Sequence, residues 1–287
     1  MLDAAKGVDF IVHTASPFPI KKPKHENDLI IPAVEGTTAI MQACLLNKVK
    51  RVVITSSIAA IMSAKPDSLP KDHIYTEAHW SDPSPGDHIE AYSKSKTMAE
   101  KAAWDFQAKH KDEHFIEIAT INPSLILGPA FVGAGFSSGD IVTNIILGKY
   151  PALPRLHFGL VDVRDCAEAH LQALERPEAA NKRFILCEGS YWFSDIGNML
   201  KETWGPQGYT PATKEAPLWL CKCAALLMSE MSHAVKSWNI QKQFVNAQAK
   251  SVLGIKFSTP IKKTLDDMVE SMISTGALVD KRPRTKV

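Results

Sequence analysis

Tyr92 and Lys96 stand four residues apart at the start of a run, Tyr92 to Lys109, that has the character of a helix. Residues at i and i+4 share one helical face, so a phenol and an ammonium can converge on one point. Upstream lies Ile54-Thr-Ser-Ser57, where an apolar strand pattern ends in hydroxyls. A phenol whose pKa is lowered by a nearby cation, beside a serine hydroxyl, suits proton transfer to a carbonyl oxygen. Chance places Tyr-x-x-x-Lys pairs on many helices. The strand-ending serines are what give this pair weight.

These residues need a scaffold, and the chain outlines one. Strands are expected at Val8–Ala15, Arg51–Thr55, Phe115–Ile121 and Arg183–Cys187. Helical patterns lie between them at Asn27–Asn47, Tyr92–Lys109 and Val163–Glu175. Strand alternating with helix predicts a parallel sheet with right-handed crossovers, an α/β doubly wound architecture. Ligands of such sheets bind beyond the carboxyl ends of the strands. Ser56, Ser57 and two loops, Asp82–Gly86 and Gly128–Gly139, belong at that end. Residues 1–188 are expected to form a dinucleotide-binding domain, with 129–160 contributing to the substrate side. Residues 189–287 read as a smaller, mainly helical substrate-binding cap rather than another layered sheet.

Composition narrows the function. With 33 basic and 31 acidic residues the net charge is +2, which gives no argument for nucleic acid. The basic stretch Lys281–Lys286 reads as a solvated end. The five cysteines, Cys44, Cys166, Cys187, Cys221 and Cys223, show no zinc-type pairing, and no metal site is expected. They read as reduced, mostly buried thiols, which suits a cytoplasmic protein. No uncharged apolar stretch reaches the roughly eighteen residues of a membrane span. The nearest, Ala216–Val235, is interrupted by Lys222 and Glu230 and reads as a cover over a pocket or interface. Met1–Lys6 shows no secretory pattern. Asp162 and Asp165 resemble a carboxylate pair but read as a structural turn, His13 as a core histidine, and Trp80, Trp104 and Trp192 as packing.

The segment Tyr92-Ser-Lys-Ser-Lys-Thr-Met-Ala-Glu-Lys-Ala-Ala-Trp104 resembles the corresponding helix of dihydroflavonol reductases. His13-Thr-Ala-Ser-Pro17, Glu35-Gly36-Thr37, Asn122-Pro-Ser-Leu-Ile-Leu-Gly-Pro129 and Val161-Asp-Val-Arg-Asp-Cys-Ala-Glu-Ala-His170 are similar to further segments of that branch, in its order. The resemblance is to the extended, or atypical, short-chain dehydrogenase/reductases, with their Ser-Tyr-Lys centre and Rossmann-like sheet. It implies that Tyr92 is the general acid and that Lys96 holds the ribose of a nicotinamide cofactor and favours the tyrosinate. It implies that Ser57 binds the substrate oxygen, with Ser56 the adjacent alternative. Thr14 and Ala15 would line the cofactor, joined by Ser56, and Pro123, Ser124 and Leu125 would flank the nicotinamide. The cofactor implied is NADP rather than NAD, and the substrate a small carbonyl compound or secondary alcohol. Thioester-reducing relatives carry Asn-Trp-Tyr-Cys-Tyr at the tyrosine, from which Ile89-Glu-Ala-Tyr92 departs.

The departure from the family lies at the front. The family opens with a strand and a glycine-rich turn whose amides meet the pyrophosphate, and nothing of that kind precedes Val8. The expectation is an N-terminally truncated sheet, from a fragment, splice form or truncated copy, lacking roughly seventy residues of the usual fold. Such a chain should bind NADPH no better than millimolar, about 4 kcal/mol. The missing turn motivates the alternative of a non-catalytic binding or scaffold protein, or an inactive fragment; a nucleotide-sugar epimerase is a separate enzyme alternative. The oligomeric state is not legible.

Overall fold

The computed structural model describes residues 3–14, 23, 25–86, 88–131, 137–226 and 229–283. In chain order the elements are β1 (Phe10–His13), α1 (Asn27–Asn47), β2 (Arg51–Thr55), β3 (Ile74–Tyr75), α2 (Ala91–His110), β4 (Glu117–Pro123), β5 (Leu125–Leu127), α3 (Ser137–Ile146), β6 (His157–Asp162) and α4 (Val163–Glu175). They continue with β7 (Lys182–Leu186), β8 (Gly189–Trp192), α5 (Phe193–Trp204), α6 (Leu218–Ala225), α7 (Ser229–Lys236), β9 (Gln243–Phe244), α8 (Ala247–Ser251) and α9 (Ile261–Ser274).

The chain forms two compact units. The first contains Met1–Ser124, Asp165–Cys187 and Phe244–Lys256. Its sheet has the order β1-β2-β4-β7 and is parallel throughout. The register aligns His13 with Ile54, Thr55 with Ile121 and Pro123 with Leu186. The carboxyl ends of the strands therefore share one margin. Alternation along each strand builds the faces. Val52 and Ile54 of β2 and Ile118 of β4 join Met41, Cys44, Leu45 of α1 and Ala103 of α2 in one apolar cluster. At the carboxyl margin the same face turns polar, with Ser56 after Ile54 and Thr120 and Asn122 after Ile118.

Helix α1 ends where Lys48 turns left-handed, φ 57°, and returns its amide to Cys44 and Leu45. By length and composition α1 could cross a membrane, with a mean hydropathy of 1.6. It instead buries Leu29, Ile30, Ala33, Met41, Ala43, Cys44 and Leu45 within its unit. Strand β1 pairs only with β2 among the described residues, and Phe10 and Val12 are 46% and 41% exposed. This is an apolar edge of the kind that invites pairing with another strand.

The second unit contains Leu125–Arg164, Glu188–Gln243 and Phe257–Val287. It holds a three-stranded sheet, order β5-β6-β8, in which β5 and β6 are parallel and β6 and β8 antiparallel. Helices α3, α5 and α9 supply its core, including Ile145, Ile146, Ile196, Leu200, Leu265 and Met268. The sequence places 189–287 in a smaller, mainly helical cap. The chain differs by building this sheet and by returning 244–256 to the first unit. That return is fixed by Asn246 Nδ2 on the Cys187 carbonyl, 2.6 Å, and Arg176 Nη1 on the Val252 carbonyl, 3.1 Å.

Asp162, fully buried, ends β6 as a structural carboxylate. Its Oδ1 accepts from the Arg164 backbone N–H at 2.7 Å and from Arg164 Nε at 2.8 Å. Its Oδ2 accepts from Arg164 Nη2 at 2.6 Å and Thr264 Oγ1 at 2.7 Å. Burial alone would raise its pKa, but the Arg164 and Thr264 bonds outweigh it and hold the carboxyl below its ordinary value. Asp162→Ala should therefore lower stability by about 1–3 kcal/mol at pH 7. The stabilisation is present above the unfolded carboxyl pKa of about 3.9 and is lost as pH falls through the lower folded value. Urea midpoints for both proteins at pH 7 and pH 3 check this, and equal midpoints at pH 7 would refute it.

Candidate active site

The carboxyl margin of the four-stranded sheet collects the predicted residues of the first unit. Helix α2 starts at Ala91 after an extended Glu90, φ −83° and ψ 155°, so Tyr92 and Lys96 fall on its first turns. Ser57 caps the short 3-10 turn Ile58–Ala60 and accepts the Ala59 amide on its Oγ at 3.1 Å. The Ser57 hydroxyl lies within interaction range of the Tyr92 phenol and favours its ionised form. Lys96 Nζ lies 5.9 Å from the centroid of the Tyr92 ring. Three residue types separated in sequence thus meet at one point.

Ser56 does not join them through its side chain. Alternation sends it to the same face as Val52 and Ile54, where its hydroxyl donates to Glu100 Oε2 at 2.5 Å. Thr14 lies exposed just past β1, and Ala15 lies outside the described residues. Pro123 ends β4, and Ser124 is buried with its backbone N–H on the Leu186 carbonyl at 2.9 Å. The Ser124 hydroxyl is buried without a hydrogen-bond partner among the described residues. Leu125 opens β5 and belongs to the second unit.

The electrostatics correct one expectation. The sequence suggested a phenol acidified by Lys96. Burial instead raises the Tyr92 pKa, with the Ser57 hydroxyl opposing it to a smaller degree. Burial pushes Lys96 down from 10.5 to about 8, against the pull of Glu100. His13, at the exit of β1, is buried and is lowered by burial and then by the Lys96 charge. At neutral pH the arrangement is a protonated phenol, a desolvated ammonium and a neutral imidazole.

A desolvated ammonium costs stability. Lys96 stays charged to pH 10.5 when unfolded but only to about 8 when folded. The penalty is complete below pH 8 and vanishes above 10.5, so stability rises with pH across that window. Lys96→Met should raise the unfolding free energy at pH 7 by up to about 3 kcal/mol. Thermal melts of both proteins at pH 7 and pH 10.5 check it. A variant that melts no higher than the parent at pH 7 would remove the claimed burial cost.

Behind Tyr92 and Lys96 the sequence reading missed a polar network. Glu100, 1% exposed, accepts from Arg183 Nε at 2.7 Å and Thr120 Oγ1 at 3.0 Å on Oε1. Its Oε2 accepts from Asn122 Nδ2 at 2.8 Å as well as from Ser56. Arg183 Nη1 donates to the Glu77 and His79 carbonyls at 2.6 and 2.7 Å, and its guanidinium lies 3.7 Å from the Trp80 ring centroid. The available signal was the spacing Tyr92, Lys96, Glu100, which continues one helical face. All five cysteines are free, and burial pushes the Cys44 and Cys166 thiols up to about 12, so neither is a nucleophile at neutral pH. Among the described residues no cluster of metal-ligating side chains occurs.

Similarity to known proteins agrees with this geometry. The profile of the 3-beta hydroxysteroid dehydrogenase/isomerase family matches residues 1–131. YDR541C of Saccharomyces cerevisiae, named as an uncharacterized oxidoreductase, is 36% identical over 209 residues, 68% of this chain and 60% of the relative. The chain thus spans less than two thirds of that relative's length. Cinnamoyl-CoA reductase CAD2 of Medicago truncatula is 32% identical over 274 residues, 93% of this chain and 74% of the relative. The crystal structure of yeast methylglyoxal/isovaleraldehyde reductase Gre2 with NADPH superposes with a TM-score of 0.77 at 27% identity, over 96% of this chain and 80% of that one. Motif order, parallel sheet and relatives converge: the chain belongs to the extended short-chain dehydrogenase/reductase family, in its dihydroflavonol reductase-like branch.

Proposed function

We propose that this chain is an NADPH-dependent reductase of aldehyde or ketone carbonyls on small organic molecules, acting in reverse on the corresponding primary or secondary alcohols. The observation that carries this reading is the convergence of Ser57 and Tyr92, with Lys96 Nζ 5.9 Å from the tyrosine ring centroid, at the carboxyl margin of a parallel sheet. NADPH, when bound, supplies the hydride. The buried, unpartnered Ser124 hydroxyl, at the exit of β4, fits a polar cofactor group. Lys96, desolvated beside Tyr92, fits an ammonium that binds ribose hydroxyls and waits for partners. Thr14, Ala15, Ser56, Pro123 and Leu125 complete the cofactor side in this assignment, Ser56 through its backbone.

Tyr92, a neutral phenol at pH 7, gives its proton to the carbonyl oxygen. The charge left on Tyr92 Oη is met by the Ser57 hydroxyl and the Lys96 ammonium. Ser57 also orients the carbonyl oxygen. In the alcohol direction Tyr92 accepts the proton instead.

NADP over NAD follows the relative solved with NADPH. Aldehydes and ketones take precedence over thioesters because Ile89-Glu-Ala-Tyr92 departs from the thioester reductases' motif, although one relative is named for cinnamoyl-CoA. Free cysteines suit a reducing compartment, and a cytoplasmic location is inferred, checked by fractionation. The scaffold alternative has no observation in its favour. The deciding experiment is NADPH absorbance loss with methylglyoxal, isovaleraldehyde and aromatic ketones, NADPH being raised into the millimolar range. No turnover of any of them, with the protein folded, would sink the reductase reading.

A further inference from the structure

We propose that Glu100 is a positioning residue for this reaction: held by Arg183, its carboxylate fixes the end of β2 that carries Ser57 against the helix face that carries Tyr92 and Lys96, and places a negative charge one turn from Lys96. The proposal rests on the reductase reading above. Tyr92, Lys96 and Glu100 recur every four residues on α2 and so share a face. From Glu100 Oε2 two links run to the serine pair. One is the Ser56 hydroxyl at 2.5 Å. The other passes through Asn122, whose Nδ2 donates both to Oε2, at 2.8 Å, and to the Ser57 carbonyl, at 3.2 Å. Ser57 is then set on both sides, by its carbonyl toward Glu100 and by its hydroxyl toward Tyr92.

A buried ion pair is poor evidence of stabilisation, since an apolar pair of similar volume often does as well. What an apolar pair could not do is bond the strand end and oppose the desolvation of an ammonium. The titratable groups facing Lys96 are Tyr92 and Glu100 from α2 and His13 from β1. Both causes acting on His13 favour its neutral form, which leaves Glu100 as the charge that opposes burial at Lys96. Without it, Lys96 would lose its proton closer to neutrality.

The test separates charge from anchoring. Lysine side chains labelled with 13C are titrated by NMR in the parent and in Glu100→Gln, with Lys96 assigned by Lys96→Arg. The Lys96 midpoint should move down by about one pH unit in Glu100→Gln. The alkaline limb of kcat for methylglyoxal should move with it, and kcat at pH 7 should fall roughly 10-fold or more while KM for NADPH changes less than about threefold. Ser56→Ala removes the direct anchor and keeps the charge. It should lower kcat severalfold and leave the Lys96 midpoint in place. Unchanged Lys96 titration together with unchanged kcat in folded Glu100→Gln overturns the proposal. Should Glu100→Gln not fold, Glu100→Asp withdraws the charge by one methylene, and full kcat in both it and Ser56→Ala overturns the proposal equally. Absence of turnover by the parent defeats the reductase reading on its own, and the NMR midpoint still decides whether Glu100 governs Lys96.

Discussion

Tyr92→Phe is expected to lower kcat for carbonyl reduction by about 10²- to 10⁴-fold, the span of general acid catalysis, with NADPH affinity nearly unchanged. The half-buried ring keeps its place on α2 and only the hydroxyl facing Ser57 is lost. Loss of one hydrogen bond costs about 1 kcal/mol, so the variant should remain folded. Lys96→Ala should differ by weakening both kcat and cofactor binding, since its ammonium is assigned two tasks. The parent's pH profile adds an independent check. Burial keeps Tyr92 protonated through neutral pH, while Lys96 sheds its proton near 8. Reduction should therefore hold level at neutral pH and decline above about 8. Full activity in Tyr92→Phe, on a substrate the parent reduces, would place the proton donor elsewhere.

How much of this was legible beforehand follows from which signals are local. The bounds of α1, β2 and α4 match their sequence reading because each is an uninterrupted run of helix- or strand-type residues between punctuated flanks. Strand β4 sits at Glu117–Pro123, two residues later than expected, since Phe115 is apolar but 51% exposed and unpaired in the sheet. The second sheet escaped notice for a physical reason. β5 has three residues, β6 carries Gly159, and all four residues of β8 are half-buried, so none shows clean alternation. The meeting of Ser57, Tyr92 and Lys96 was readable because strand end and helix start are each short-range features. The Tyr92 pKa was not, because burial depends on the whole fold and outweighed the cation. Glu100 lay within the quoted segment, yet its meaning depends on Arg183, 83 residues further along, and no local pattern announces that pairing.

Arg183→Met should cost about 3–5 kcal/mol of stability, the toll for leaving a buried charge without its partner. Glu100 is fully inside, and five residues donate to it: Arg183, Ser56, Thr120, Asn122 and, at 3.5 Å, Trp104. The methionine fills the guanidinium stem's volume but offers Glu100 no charge and frees the Glu77 and His79 carbonyls as well. Two effects can then be separated by a double-mutant cycle. Glu100→Gln alone leaves Arg183 buried and without its carboxylate charge, although stacked on Trp80. Combining it with Arg183→Met removes both charges of the pair, and the double variant should be more stable than Arg183→Met alone, because neither Glu100 nor Arg183 is left buried without the other. Activity should not follow. The double variant regains fold stability but still lacks the carboxylate that ties Ser56 and Asn122 to the site, so its kcat should stay low. Urea unfolding of the four proteins gives the stability arm and methylglyoxal turnover the functional one. An Arg183→Met variant within about 1 kcal/mol of the parent would mean that the pair is not the buried, mutually dependent unit its distances describe. Restored kcat in the stable double variant would show that the network serves packing alone and that Ser57 finds its place beside Tyr92 without it.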